Sequence, residues 1–241
     1  MVATRIDLAG LTTRIVGPSD AKLTCVLMHG FGAPGDNLVP LAGELAEAAE
    51  AAEGNGVPVR FVFPEAPLEL GGLYGDARAW WMIDLAQFER DIASGVPSDL
   101  RGEHPEGLVA ARAHVNRLID QLQARYQLAP DQLVLGGFSQ GAMLALDVAL
   151  HREAPPAGLV LMSGTLIAES ELAPRMPRLA GVPVMLSHGR HDGLLPFWIA
   201  ELLRDQLTQA GAVVDWQPFS GGHEVPAAVV AAVGQLLRAA N

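Results

Sequence analysis

Five short stretches of this chain are apolar almost without a break: residues 22–28 (KLTCVLM), 59–63 (VRFVF), 132–135 (QLVL), 158–162 (GLVLM) and 183–187 (PVMLS). A strand with one wet face alternates apolar and polar residues. A strand covered on both faces does not, so runs of this kind belong to a parallel sheet held between layers of helices. Residues 213–218 (VVDWQP) alternate more and suit a strand nearer an edge, and a weaker strand signal spans 12–16. Helical stretches separate the runs: 37–52, 107–126, 140–151, 197–210 and 225–240. The second carries Leu108, Ala111, Val115, Leu118, Ile119 and Leu122 at helical spacing. Strand followed by helix, repeated, predicts an α/β fold with a doubly wound, mostly parallel sheet flanked by helices. At 241 residues, 50% of them hydrophobic, the chain suits one domain over 1–241 with ample apolar surface for its core.

One stretch departs from this rhythm. Residues 66–105 are rich in Gly, Pro and charge, contain Trp80, Trp81 and Phe88, and show little periodicity. They are expected to form an irregular excursion over the carboxyl end of the sheet. The net charge of −11 argues against a nucleic-acid partner, whose phosphates require clustered Lys and Arg. No run approaches the roughly 18 apolar residues of a membrane span. Cys25, the one cysteine, excludes an intrachain disulfide and sits in an apolar run as an inert thiol. With no signal-like apolar segment at its start, the chain is expected in the cytoplasm.

Chemistry enters at Gly137-Phe-Ser-Gln-Gly141, which follows an apolar strand and opens a helix. Gly-x-Ser-x-Gly in that setting forms a sharp turn that presents Ser139 as a nucleophile, with glycines where side chains would collide. The plainer alternative is a serine capping a helix. A serine hydroxyl needs a base to take its proton and an acid to orient that base. In this architecture the order is Ser, then Asp or Glu, then His, in loops after later strands. Asp192 lies in the loop after 183–187, and His223 in the Gly-rich loop after 213–218. Ser139, Asp192 and His223 are therefore the candidate catalytic set.

The loop His29-Gly30-Phe31-Gly32-Ala33-Pro34-Gly35 matches Gly-x-Gly-x-x-Gly, but Pro34 has no amide where a dinucleotide phosphate would need one. His-Gly-x-Gly after an early strand suits half of an oxyanion hole instead, with the Phe31 N–H as donor and the Gln140 N–H as its partner. His29 is expected to brace the loop. His188, His191, Asp192 and His223 match no helical zinc motif, and neither a metal nor a cofactor is expected.

Taken together, His29-Gly-Phe-Gly32, Arg78-Ala-Trp80-Trp81, Gly137-Phe-Ser-Gln-Gly141, His188-Gly-Arg-His-Asp192 with Pro196, and Gly222-His223 resemble the phospholipase/carboxylesterase family of α/β hydrolases. These pieces extend from about residue 23 to the end. The resemblance implies an α/β-hydrolase fold, the same triad and oxyanion amides, and cofactor-free hydrolysis of carboxylic esters or thioesters. It also makes a homodimer unsurprising. The chain departs from the family where an Asp is common and Ala33 stands, and where Met82 follows Trp81 with Asp84 displaced. The expected partner is a small ester, with Trp80, Trp81, Met82 and Phe88 as candidate lining of an acyl pocket. Trp80 and Trp81 have core packing as their alternative. A peptidase or amidase on the same fold, and a hydrolase-fold binder without catalysis, stay open.

Overall fold

The computed structural model describes residues 2–50, 58–95 and 97–240. Among the described residues the ten strands are β1 (Thr4–Leu8), β2 (Leu11–Val16), β3 (Leu23–Met28), β4 (Val59–Pro64), β5 (Leu68–Glu69), β6 (Arg78–Ala79), β7 (Leu133–Phe138), β8 (Gly158–Met162), β9 (Pro183–Gly189) and β10 (Val213–Phe219). The α-helices are α1 (Leu41–Glu50), α2 (Leu85–Ser94), α3 (Leu108–Tyr126), α4 (Gln140–His151), α5 (Glu169–Leu172), α6 (Phe197–Gln209) and α7 (Ala227–Ala239). Residues 51 and 52 of the first helix expected from sequence lie outside the described residues.

Eight strands form one sheet in the order β1-β2-β4-β3-β7-β8-β9-β10. β1 and β2 pair antiparallel, as do β2 and β4, and the rest run parallel. Alternate residues of the apolar runs feed opposite faces, as the two-residue period of a strand requires. Val26 and Met28 of β3 join Leu135, Leu161 and Leu186 in a core under α3, α4 and α6. Cys25 and Leu27 join Val134, Val160 and Met185 in a second core under α1 and α7. Helix α4 is buried from Gln140 to Leu150 and runs through the first core. Its one carboxylate, Asp147, is fully buried and takes a two-pronged bond from Arg112 at 2.7 and 3.1 Å. Such pairing is the condition for holding a charge there.

The excursion over 66–105 is more regular than its composition predicts, although residue 96 lies outside the described residues. β5 and β6 form a small hairpin, and α2 follows. The start of α2 is encoded in Asp84-x-x-Gln87: the Asp84 carboxylate accepts the Gln87 N–H at 2.9 Å and caps the helix. Charge around Leu85 and Phe88 obscures the helical spacing. No described side chain of α2 is buried, so its formation relies little on a core-facing stripe. β1 is also absent from the strands expected from sequence. It is a largely exposed edge strand, joined to β2 by Ala9 and Gly10, whose positive φ angles of 57° and 78° suit a tight hairpin turn. Ala is an unusual residue in that conformation, so Ala9-Gly10 carries little turn signal.

Candidate active site

The loops that matter leave the carboxyl ends of β3, β7, β9 and β10, the edge where open α/β sheets bind ligands. Ser139 joins β7 to α4 with φ 55° and ψ −118°, a conformation rare for a residue with a side chain. Its backbone is clamped: the N–H donates to Met162 O at 2.8 Å, and the carbonyl accepts from Ala142 and Met143. The Ser139 hydroxyl makes no helix-capping bond, which removes the plain capping alternative. The flanking glycines are sterically required. A Cβ at Gly137 would lie 2.5 Å from both Met28 O and Gly141 C, and one at Gly141 would lie 2.0 Å from Met28 O.

Asp192 and His223 come from different loops and meet. His223 Nδ1 lies 2.7 Å from Asp192 Oδ2. The other carboxylate oxygen accepts the Leu194 and Leu195 N–H groups, both at 2.9 Å. Burial pushes the Asp192 carboxyl up. The His223 bond and charge, with the two amides, outweigh burial and hold it below the ordinary 3.8. His223 sits in the bend after β10, where Gly221 O accepts the His191 N–H at 2.9 Å. Gly189 admits that bend, since a Cβ there would lie 2.1 Å from Gly222 O. The His223 ring packs 4.7 Å from that of Phe138, the residue before Ser139. A second imidazole, His188, is fully buried, with Nε2 3.4 Å from Asp192 Oδ2 and 3.1 Å from Leu195 O.

The loop after β3 lies directly against the elbow: a Cβ on Gly30 would be 3.2 Å from Ser139 Cβ. His29 Nε2 is 3.0 Å from the Ala66 N–H, which can only donate, so that nitrogen accepts. The proton is then on Nδ1 and is donated to Gly30 O at 2.8 Å. Burial lowers the His29 pKa, in keeping with this neutral bracing form. Among the described residues, no acceptor takes the Phe31 N–H. The Gln140 N–H opens α4 and has no intrahelical partner. Gln140 directly follows Ser139, and Phe31 follows Gly30, the residue packed against Ser139. No group of three His, Cys, Asp or Glu among the described residues is arranged to hold a metal ion. A cavity of about 350 Å³, lined by Gln123, Leu133, Arg152 and Pro155, lies at the opposite end of β7.

Residues 12–241 match the family model described as Phospholipase/Carboxylesterase. The chain belongs to the phospholipase/carboxylesterase family. Membership places it among the carboxylic ester hydrolases. Acyl-protein thioesterase 1 of Gibberella zeae is 27% identical over 210 residues, covering 85% of each chain. The crystal structure of esterase PE8 superposes with a TM-score of 0.76 at 24% identity, covering 96% of this chain and 99% of that one. A carboxylesterase from Mesorhizobium loti superposes at 0.71 with 19% identity and 97% coverage of both chains. These two likenesses establish the α/β-hydrolase fold. No helix among the described residues is long and apolar enough to cross a membrane.

Within this carboxylesterase-family chain, the four aromatic and apolar residues of the excursion divide. Trp80 and Trp81 are 1% and 3% exposed and belong to the core beside α3 and α4. Trp80 is pinned by an indole N–H bond to His29 O at 2.9 Å, and Trp81 packs over Gly107 at the start of α3. Burial of both rings agrees with core packing, the alternative reading of these two residues. Met82 is 54% exposed, and Phe88 is half-buried on α2. Sequence reasoning missed the side chain of Gln140, which the structure buries against the backbone of Trp80 and Trp81. It also missed the Leu194 and Leu195 amides that cap Asp192, for which sequence carries no signal because every residue type except Pro has an N–H.

Proposed function

We propose that this chain is a serine carboxylesterase that hydrolyses carboxylic esters, thioesters included, through an acyl-Ser139 intermediate. One observation carries the reading: His223 Nδ1 is hydrogen-bonded at 2.7 Å to a buried Asp192 whose second oxygen is already saturated by amides. That arrangement fixes the imidazole with Nε2 free to serve as base. His223 removes the Ser139 proton as Oγ forms a bond to the substrate carbonyl carbon. The carbonyl oxygen becomes an oxyanion, held by the Phe31 and Gln140 amides. Collapse breaks the bond to the alcohol or thiol, which takes the proton from His223. Water then attacks the acyl carbon, giving its proton to the same base, and the acid departs as Ser139 is regenerated.

Met82 and Phe88 are the apolar groups assigned to the acyl chain. The assignment of Met82 is favoured by its exposure and by the bond from Gln140 to Trp81 O, which holds residue 82 near the elbow. The reading is tested with Ser139→Ala. Turnover of p-nitrophenyl butyrate and labelling by a fluorophosphonate probe are expected to vanish while circular dichroism is unchanged. Retained turnover would refute Ser139 as nucleophile. Failure of the parent chain to label would favour a hydrolase-fold binder.

A further inference from the structure

The two oxyanion donors belong to separate elements, Phe31 to the loop after β3 and Gln140 to the start of α4. A hole works only when both N–H groups lie within hydrogen-bond reach of one point, so something must fix the distance between the elements. We infer that the Gln140 side chain and Trp80 form that link, as positioning residues that hold the two amides in register. The inference rests on the reading of Ser139 as nucleophile.

Gln140 is 3% exposed. Its Oε1 accepts the Trp80 N–H at 2.9 Å, and its Nε2 donates to Trp81 O at 2.9 Å. Both polar ends are thus committed to one dipeptide, and the orientation of the amide is fixed because a flip would set donor against donor. The Trp80 indole N–H reaches across to His29 O at 2.9 Å. Two residues earlier, Arg78 O accepts the Gly32 N–H at 2.9 Å, and the Arg78 N–H donates to Ala33 O at 3.1 Å. Segment 78–81 is therefore bonded to residues 29, 32 and 33 on one side and to Gln140 on the other. Phe31 lies between the anchored positions. Nothing in helix formation requires a buried amide at the first position of α4. A strut between the halves of the hole accounts for it.

The substitutions Gln140→Met and Trp80→Phe test this. Each leaves the backbone amides, Ser139 and His223 in place, and each removes bonds on one side of the link. The readouts are kcat and KM for p-nitrophenyl acetate per active site titrated with fluorophosphonate. Affinity for a trifluoromethyl ketone, which forms an oxyanion adduct on the serine, is a third. Ångström-scale misplacement typically costs on the order of 100-fold. The expected result is a fall in kcat of about 10- to 100-fold with KM within about twofold, and a matching loss of trifluoromethyl ketone affinity. The double variant should fall little further than the worse single one, because both cut one linkage. Unchanged kcat and ketone affinity in both variants would overturn the inference, as would strictly multiplicative losses. If Gln140→Met does not fold, Trp80→Phe decides alone, since it keeps an aromatic ring and loses one N–H. Ser139→Ala run in parallel separates the readings. Turnover surviving there sinks the nucleophile and this inference with it, whereas a dead Ser139→Ala beside unaffected linkage variants sinks the inference only.

Discussion

Replacing Gly141 with alanine would set a methyl carbon 2.0 Å from Met28 O, 2.5 Å from Met28 C and 2.7 Å from His29 O. All three neighbours are backbone atoms, so no side chain can rotate away. The end of β3 and the start of α4 must separate by about an ångström to restore even the tightest normal contact. Two effects oppose one another. Alanine favours a helix over glycine by up to about 1 kcal/mol. Overpacking costs about 1–3 kcal/mol, and contact with rigid backbone belongs at the upper end. The clash therefore wins, and a net loss of about 1–2 kcal/mol is expected in urea unfolding. Catalysis should suffer more. Met28 leads into the loop of Phe31, and Gly141 follows Gln140, so the same separation moves the two amides proposed as the oxyanion hole apart. A shift of that size corresponds to roughly a 100-fold loss in kcat. Steady-state assays with p-nitrophenyl acetate, at a temperature where the variant is folded, measure it. A Gly141→Ala enzyme whose urea midpoint matches the parent's and whose kcat is unchanged would refute the steric account of the elbow.

Other outcomes follow from burial. Trp81→Ala should cost about 3–5 kcal/mol of stability, as expected for a large core side chain, while the exposed Met82→Ala should change stability by no more than about 0.5 kcal/mol. Met82→Ala should instead raise KM for longer acyl esters, and a chain-length profile identical to the parent's would remove Met82 from the acyl contact. Burial lowers the pKa of both His29 and His188 from 6.5. The unfolded chain then binds more protons below pH 6.5, so their contribution is fully present above that pH and is lost as pH falls toward the folded values. Asp192, lowered from 3.8, adds its own loss only below that value. The urea midpoint should drop between about pH 7.5 and 5, and a flat or rising midpoint would contradict the neutral state of the two imidazoles.

The sheet was legible because burial on both faces leaves a mark on every residue of a strand. Runs such as 158–162 carry that mark through to their ends, and the observed β8 covers the same residues. β1 and α2 left no such mark. One is an edge strand turning through an Ala at φ 57°, and the other has no described side chain in the core. Among the site residues, Ser139 stood out because glycine is the only residue type that fits on either side of its turn, at Gly137 and Gly141. Trp80 and Trp81 were ambiguous, because large apolar side chains in a Gly- and Pro-rich segment serve a pocket and a core equally well.

By itself the sequence determined the order of the strands' chemistry: a glycine-flanked serine, then an acid, then a histidine, each just after a strand. That order is local information, readable wherever a strand ends. Tertiary structure alone decided which groups meet. It brought Asp192 to 2.7 Å from His223 across a gap of 31 residues, and it bonded the Gln140 side chain to Trp80 and Trp81, about 60 residues upstream. Contacts between loops of separate strands depend on how the sheet is wound and on where buried polar atoms find partners. Neither quantity has a period or a composition to read.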